Sequence, residues 1–340
     1  LGAIDRDRFE VIPVGITREG AFVLESDDPS RFALDPGHLP EVVDNGSRVR
    51  WPESAASREL RVTTVSAETG VAGERSLGEV DVVFPILHGR FGEDGTVQGL
   101  LELVGLPYVG NGVLASAVGM DKHFTKTALE AAGIPVAPWV TLTRGALEHD
   151  AELWNRRVRG LGLPVFVKPA RAGSSVGVTK VSDWAELDAA LEVAFAEDRT
   201  VLVEQAVPGR EIEIAVLEGR EGVRVSVAGE VVVTGREFYD FAAKYLDAPG
   251  VDLVCPAELG DGESFELERI AVRAFEAIGA EGLARVDVFL GDEGFVVNEI
   301  NTMPGFTPIS MFPTCWLNTG LSYPELIGEL IDVGHARGSR

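Results

Sequence analysis

The run VVNEINTMPG (296–305) places Glu299 and Asn301 two residues apart in an apolar, strand-like stretch. Side chains at i and i+2 of a strand share a face, so these two project together while Ile300 turns away. Upstream, ARVDVFL puts Arg285, Asp287 and Phe289 on one face and Val286, Val288 and Leu290 on the other. The two runs read as a hairpin across GDEG. With Asp287 and Glu299 on one side, the site holds two carboxylates and an amide oxygen. Like charges that close push one pKa up unless a cation sits between them. Hard oxygen donors without His or Cys suit Mg²⁺, with phosphate oxygens completing its shell. The competing reading is an Arg285–Asp287 surface ion pair beside a solvated Glu299; the flanking valines and the following TMPGF favour burial. The register is demanding. Pairing 290 with 295 across a four-residue GDEG loop sets Asp287 opposite Asn298 and turns Glu299 away. Convergence therefore requires an offset of one residue, from a three- or five-residue loop or a bulge.

A second constellation is KPARAGSSVGV (168–178). Lys168 leaves an apolar strand, and Gly173, Ser174, Ser175 and Gly177 follow. Small residues let backbone N–H groups approach phosphate oxygens, and Lys168 supplies a point charge. The spacing is not that of a P-loop, and alone such a loop is an ordinary turn; with the hairpin it reads as a phosphate site. In MDKHF, Lys122 stands in the first turn of a helix, where a cation opposes the helix dipole unless an anion is near. Glu204 and Gln205 end the strand of VLVEQAV, where a base could be read by hydrogen bonds or a strand could simply end in polar groups. His88 follows a buried run in PILHGRFGEDG; a lone His is more often structural than catalytic.

The elements that must position these residues alternate in type. EVIPVGIT (10–17) and VDVVFPILHG (80–89) read as strands, and TVQGLLELVGLPYVG as helix, turn and short strand. Alternating strands and helices imply a Rossmann-like α/β unit, with AIDRDRFEVIPVGI as the end of a helix leading into a strand. Residues 18–78 carry little periodicity. A helix runs from an Asp121 N-cap to Gly133, with Pro135 beyond it. LPVFVKPA and TVLVEQAVPG are strands. DWAELDAALEVAFAED opens with the capping-box pair Asp183 and Glu186 and aligns Leu187, Leu191, Ala194 and Phe195 on one face. REIEIAVLEG alternates, with Ile212, Ile214 and Val216 together, and GVRVSVAGEVVVTG returns antiparallel. Residues 235–250 read as a long loop, SFELERIAVRAFEAIG as a helix ending at Gly279, and LSYPELIGELIDVG as a terminal helix.

The 340 residues exceed one ordinary core. A net charge of −24 disfavours nucleic acid and anionic membrane surfaces, and no apolar run approaches the ~18 residues that span a bilayer. Two cysteines, Cys255 and Cys315, make no disulfide framework and fit a reducing cytoplasm.

In order along the chain, HGRFGEDGTVQGLLELVGLPYVG, MDKHFTK, LPVFVKPARAGSSVGV, VLVEQAVPGREIE, FYDFAAKYL, ARVDVF and NEINTMPGFTPISM resemble the D-alanine–D-alanine ligases of the ATP-grasp superfamily, over about residues 80–335. The resemblance implies an α/β and α+β, three-domain ATP-grasp architecture. Its parts are an incomplete Rossmann-like N-terminal domain (1–110), a central ATP-grasp domain (111–208), and a C-terminal ATP-grasp domain with the metal and catalytic site (209–340). It implies a cytoplasmic, homodimeric ligase that joins two D-alanines through a D-alanyl phosphate for peptidoglycan and cell-wall synthesis. Its cofactors are ATP and two Mg²⁺ ions, with Mn²⁺ as substitute, held by Asp287, Glu299 and Asn301.

The same resemblance assigns further positions. Lys122, Lys168 and Lys244 meet phosphates, Glu204, Gln205 and Val207 the adenine, and Glu211 the ribose; the family usually has Lys where this chain has Gln205. Arg285 and the Gly305 N–H stabilise the oxyanion, Ser310 and Met311 hold the second carboxylate, and His88 lies near the first substrate. Ser174 and Tyr245 bridge the loop to the substrate pocket. Rival readings are a D-alanine–D-lactate ligase, against which Tyr245 argues, another ATP-grasp carboxylate–amine ligase, and an inactive nucleotide-binding protein. The family's first strand and Gly-rich loop, with a Glu for the first ammonium, are absent from the sequence. The expectation is a chain that binds Mg²⁺–ATP, turns over poorly and aggregates through its open sheet.

Overall fold

The computed structural model describes residues 1–32, 40–65, 72–173, 175–219, 221–233 and 250–338. The chain forms two compact units. The first gathers 1–85, 99–109 and 322–340. In it β1 (Val14–Ile16) pairs antiparallel with β2 (Phe22–Leu24). β3 (Ser47–Arg50), β4 (Glu59–Val65) and β5 (Ala72–Glu79) form an antiparallel meander. Leu101, Val104 and Leu106, in and just after α1 (Thr96–Val104), pack against Trp51, Val80, Val83 and Tyr108.

Two expectations for this unit need correction. Residues 3–13 hold turns rather than a helix, and among the described residues β1 pairs antiparallel with β2 and with no parallel strand. The run 80–89 is not a regular strand. It makes one parallel bridge, Val83 to Tyr108, closed by Val83 N–H to Pro107 O and Val109 N–H to Val83 O, both 2.8 Å. Pro85 removes the donor two residues on and stops the ladder. The 18–78 region, which lacks periodicity, nevertheless holds the meander. β5 (AGERSLGE) is almost wholly exposed, so nothing forces an apolar face on it.

The second unit gathers 86–98 and 110–321. Its four-stranded sheet has the order β6-β9-β7-β8: β6 (Trp139–Thr143), β7 (Val165–Pro169), β8 (Thr179–Val181), β9 (Thr200–Gln205). The Asp183–Glu186 capping box forms as expected around a short 3₁₀ turn. Beyond it α6 (Leu187–Glu197) buries Leu187, Leu191, Ala194 and Phe195 against Val165, Val167 and Val203. The five-stranded antiparallel sheet runs β12-β11-β10-β13-β14: β10 (Arg210–Gly219), β11 (Gly222–Val233), β12 (Val251–Val254), β13 (Leu283–Gly291), β14 (Gly294–Asn301). One face, with Ile212, Ile214, Val216, Val286 and Val288, packs on α3 (Lys122–Ala131) and α7 (Asp261–Ala277) through Leu129, Leu267, Ile270 and Phe275.

Asp121 caps α3 as expected, accepting from His123 N at 3.0 Å. α2 (Val113–Met120), α4 (Arg144–His149), α5 (Ala151–Arg159), α8 (Met311–Thr319) and the strands β6 and β12 were not legible beforehand. The long loop read at 235–250 lies, but for Gly250, outside the described residues. α9 (Tyr323–Arg337) is the expected terminal helix of the first unit. Cys255 and Cys315 are free thiols whose sulfurs lie 3.8 Å apart.

Candidate active site

The β13–β14 hairpin supplies the offset that the sequence demands. Leu290 faces Phe295 and Gly291 faces Gly294; between Val288 and Asp287 the register then shifts by one. Val288 faces Val297, Asp287 faces Glu299 and Arg285 faces Asn301, so Asn298 is the extra residue of a β-bulge. Asp287 is 2% exposed. Arg285 grips it bidentately, Nε to Oδ1 at 2.7 Å and Nη2 to Oδ2 at 2.8 Å. Asn301 Nδ2 donates to the same Oδ2 at 2.9 Å. The Arg285–Asp287 pair thus exists, but it is buried and not a surface ornament.

β10 adds a carboxylate that the sequence reading missed. Glu213, 4% exposed, faces Asp287 in register. Its Oε2 lies 3.0 Å from Arg285 Nε. Burial pulls the Arg285 pKa down, but Asp287 and Glu213 outweigh it and hold the guanidinium firmly charged. The signal was present: Ile212 and Ile214 facing the core forces Glu213 to the opposite side.

One cavity collects motifs far apart in sequence: Lys122, Gly173, Glu299, Asn301, Thr302 and Glu93 line it. Lys122 Nζ donates to Ala172 O at 2.6 Å, and its N–H to Ala170 O at 3.0 Å. The first turn of α3 is therefore bound to the loop after Lys168. Glu93 is the second missed residue. Its Oε1 accepts from Gly89 N–H at 2.6 Å. Burial first, and then the Glu299 charge, push its carboxyl up to about 7 against the Gly89 bond and the Lys122 and Arg285 charges. Its place inside GEDG, a stretch that reads as a turn, concealed it.

On the other sheet, Lys168 (β7) and Glu204 (β9) are diagonal neighbours, because Phe166 faces Glu204 and Lys168 faces Leu202. Lys168 Nζ donates to Glu204 Oε1 at 2.7 Å. Lys126 Nζ lies 2.7 Å from Oε2. Burial raises the Glu204 pKa, and the two lysines together overcome this and hold it below the ordinary range. Gln205 and Val207 are half-buried at the strand exit, where Gln205 N–H donates to Pro138 O at 2.9 Å. Glu211 is half-buried between Val231 and Phe289.

His88 Nδ1 stands 3.1 Å from Met303 O. A carbonyl only accepts, so Nδ1 carries the proton. Burial, and the Arg285 charge, lower the His88 pKa despite the Met303 bond, which leaves the ring neutral. Ser310 stands at the N-cap position of α8 without a side-chain capping bond; its Oγ instead accepts from Thr307 N–H at 3.1 Å. A Cβ at Gly305 would sit 2.8 Å from that Oγ, so this approach needs glycine. Met311 is buried with its sulfur against Gly229, so only its backbone can meet a substrate. Ser174, Lys244 and Tyr245 lie outside the described residues. The described candidates all belong to the second unit.

The hairpin donors fit a hard divalent cation. Asp287, Glu299 and Asn301 offer only oxygen ligands. Oxygen donors of this kind are what Mg²⁺ takes. Among the described residues no cluster of three or more His, Cys, Asp or Glu gathers to hold a metal.

Comparison with known proteins gives these features a family. The D-ala D-ala ligase N-terminus model matches residues 1–111, and the D-ala D-ala ligase C-terminus model matches 128–332. A D-alanine–D-alanine ligase of Mycobacterium sp. (strain KMS) is 52% identical over 347 aligned positions, covering 100% of this chain and 91% of the relative. That of Paenarthrobacter aurescens (strain TC1) is 50% identical, covering 99% and 89%. Among solved structures, the D-alanine–D-alanine ligase from Coxiella burnetii superimposes with a TM-score of 0.80 at 34% identity, covering 99% of this chain and 88% of that one. The VanG D-Ala:D-Ser ligase from Enterococcus faecalis gives 0.79 at 33%, covering 98% and 92%. The fold is therefore that of the ATP-grasp ligases, a mixture of α/β and α+β. Within that class, the chain belongs to the D-alanine–D-alanine ligase family.

Proposed function

We infer that this protein joins two D-alanines into D-alanyl-D-alanine at the expense of ATP, for peptidoglycan synthesis. The supporting observation is the bulge that turns Glu299 to the side of Asp287, with Lys122, Gly173, Glu299 and Asn301 around one cavity.

In this reading Asp287, Glu299 and Asn301 hold Mg²⁺, which neutralises charge on the ATP phosphates when bound. Lys122 and Lys168 meet phosphate oxygens, with Lys244 joining from its own segment. Glu204, Gln205 and Val207 border the base and Glu211 the ribose. The first D-alanine carboxylate attacks the γ-phosphate and ADP leaves; positioning and charge stabilisation carry that step. The second amine then attacks the acyl carbon and phosphate leaves. Negative charge grows on the acyl oxygen, where Arg285 and the Gly305 N–H donate. Ser310 and the Met311 N–H hold the acceptor's carboxylate, neutral His88 stands beside the donor, and Ser174 and Tyr245 close the substrate pocket.

We further propose three domains (1–110, 111–208 and 209–340), a homodimer and a cytoplasmic location. No helix among the described residues is long and apolar enough to cross a membrane. The test is phosphate release with ATP alone and with D-alanine, D-serine or D-lactate added. Release that requires D-alanine and yields the D-alanyl-D-alanine dipeptide upholds the reading. Hydrolysis indifferent to D-alanine, or a mixed product made in preference from equal acceptors, refutes it.

A further inference from the structure

Lys126 has no part in the reaction above, yet among the described lysines it alone is fully enclosed, at 1% exposure. It follows Lys122 by one turn of α3, on the same helical face, where like charges destabilise each other. The two lysines diverge. Lys122 reaches Ala172 O, while Lys126 lies 2.7 Å from Glu204 Oε2, 3.4 Å from Ala137 O and 5.7 Å from the Trp139 ring centroid. Lys168 holds the other oxygen of Glu204. One buried carboxylate therefore serves two ammonium groups, and they are not equivalent. The Lys168 side chain is 13% exposed and that of Lys126 is 2%. Lys168 can swing toward a ligand, whereas Lys126 is walled in.

Were Lys168 the only partner, its departure would strand a buried carboxylate, which is strongly destabilising. We propose that Lys126 is a positioning residue, the permanent counter-ion of Glu204. It lets Lys168 leave Glu204 Oε1 for a nucleotide phosphate and leaves that oxygen to accept a hydrogen bond from the base. The inference rests on the reading of Lys168 as a phosphate ligand.

The experiment uses the full chain as wild type, Lys126→Met, Glu204→Gln and the double variant. It measures binding of a non-hydrolysable Mg²⁺–ATP analogue by calorimetry, KM for D-alanine, and melting temperature. In Lys126→Met the remaining lysine is retained by Glu204, so analogue affinity falls about tenfold or more, the scale of one charge-assisted contact. KM for D-alanine stays within about twofold, since none of the described groups assigned to D-alanine is among the Lys126 contacts, and distant sites act independently. An amide needs no counter-ion, so adding Lys126→Met to Glu204→Gln changes analogue affinity by less than about threefold, the sign of a coupled pair.

Undiminished analogue binding by Lys126→Met overturns the proposal. So does a uniform decline of stability, analogue affinity and D-alanine KM, which marks a merely structural lysine. If Lys126→Met fails to fold, the double variant decides: melting at or above Glu204→Gln supports the counter-ion role, and melting below it refutes that role. Wild type that binds no analogue refutes the nucleotide reading itself, a distinct result, and removes the basis of this inference.

Discussion

Arg285 and Glu93 show two ways in which one buried charge depends on its neighbours. Arg285 answers two carboxylates, so removing it leaves Asp287 and Glu213 facing each other. Arg285→Leu is expected to cost about 3–5 kcal/mol of stability, the usual penalty for halving a buried pair. It should also lower kcat by about 10²–10³, the scale of a lost oxyanion donor. Arg285→Lys separates the two effects, because it keeps the charge but loses the planar fork. It should melt near wild type and still lose most of kcat; equal kcat in melting-matched Arg285→Lys and wild type would remove the oxyanion role. Glu93 has its carboxyl raised to about 7 against an ordinary 4.5. Between those values the folded chain keeps a proton that the unfolded chain has released. Stability from this group therefore falls as pH rises through that window and levels off above it. Glu93→Gln abolishes the effect, so its melting temperature should decline less steeply than wild type from pH 4.5 to 7. Parallel melting curves for the two proteins would show that Glu93 titrates normally.

At the scale of elements, the β13–β14 bulge decides which residue faces Asp287. It absorbs one residue, Asn298, so that Glu299 comes opposite Asp287. Deleting Asn298 leaves that pairing in place, because Val297 still faces Val288 and the next residue, Glu299, still faces Asp287. The deletion variant should therefore keep D-alanine-dependent ADP formation within about tenfold of wild type, as should Asn298→Gly. A deletion variant that melts like wild type but no longer turns over would mean that the bend of the bulge, and not the pairing, aims Glu299. The need for this offset was legible in advance, because period-2 alternation and turn length together fix which face a residue takes. Its form was not: a bulge and a changed loop length solve the same parity problem. Elements with one apolar face, such as α6 and β10, were equally legible. The 80–89 run misled because a continuous apolar stretch carries no period, so only Pro85 spoke against a strand. α2, VLASAVGM, is apolar all round and offers no face to read. The buried lysine and carboxylates were hidden for a related reason. Lys126, Glu93 and Glu213 are polar residues whose partners lie on other elements, and one chain's sequence holds no register between elements.

At the scale of the whole molecule, the described groups assigned to ATP and Mg²⁺ all come from the unit formed by 86–98 and 110–321, and none from the β3–β4–β5 meander of the other. A ligand that binds only the folded form stabilises it by RT ln(1 + [L]/Kd), about 2.7 kcal/mol at a hundredfold excess over Kd. That stabilisation slows the local openings which expose the amides it closes over. Amide hydrogen exchange should therefore slow on adding a Mg²⁺–ATP analogue at residues 119–126, 168–178 and 298–302. About a hundredfold is the ceiling where exchange proceeds through opening of the binding site. Residues 47–65 and 72–79 of the meander should exchange as before. Chelating the metal while the analogue remains should return much of the protection at 298–302, because Glu299 and Asn301 then have no cation to share with the phosphates. Retention at the lysine segments 119–126 and 168–178 should be greater, since their attraction to phosphate needs no metal. Protection at 298–302 that survives chelation unchanged would mean that the hairpin meets the nucleotide directly and that Asp287, Glu299 and Asn301 are not its metal ligands.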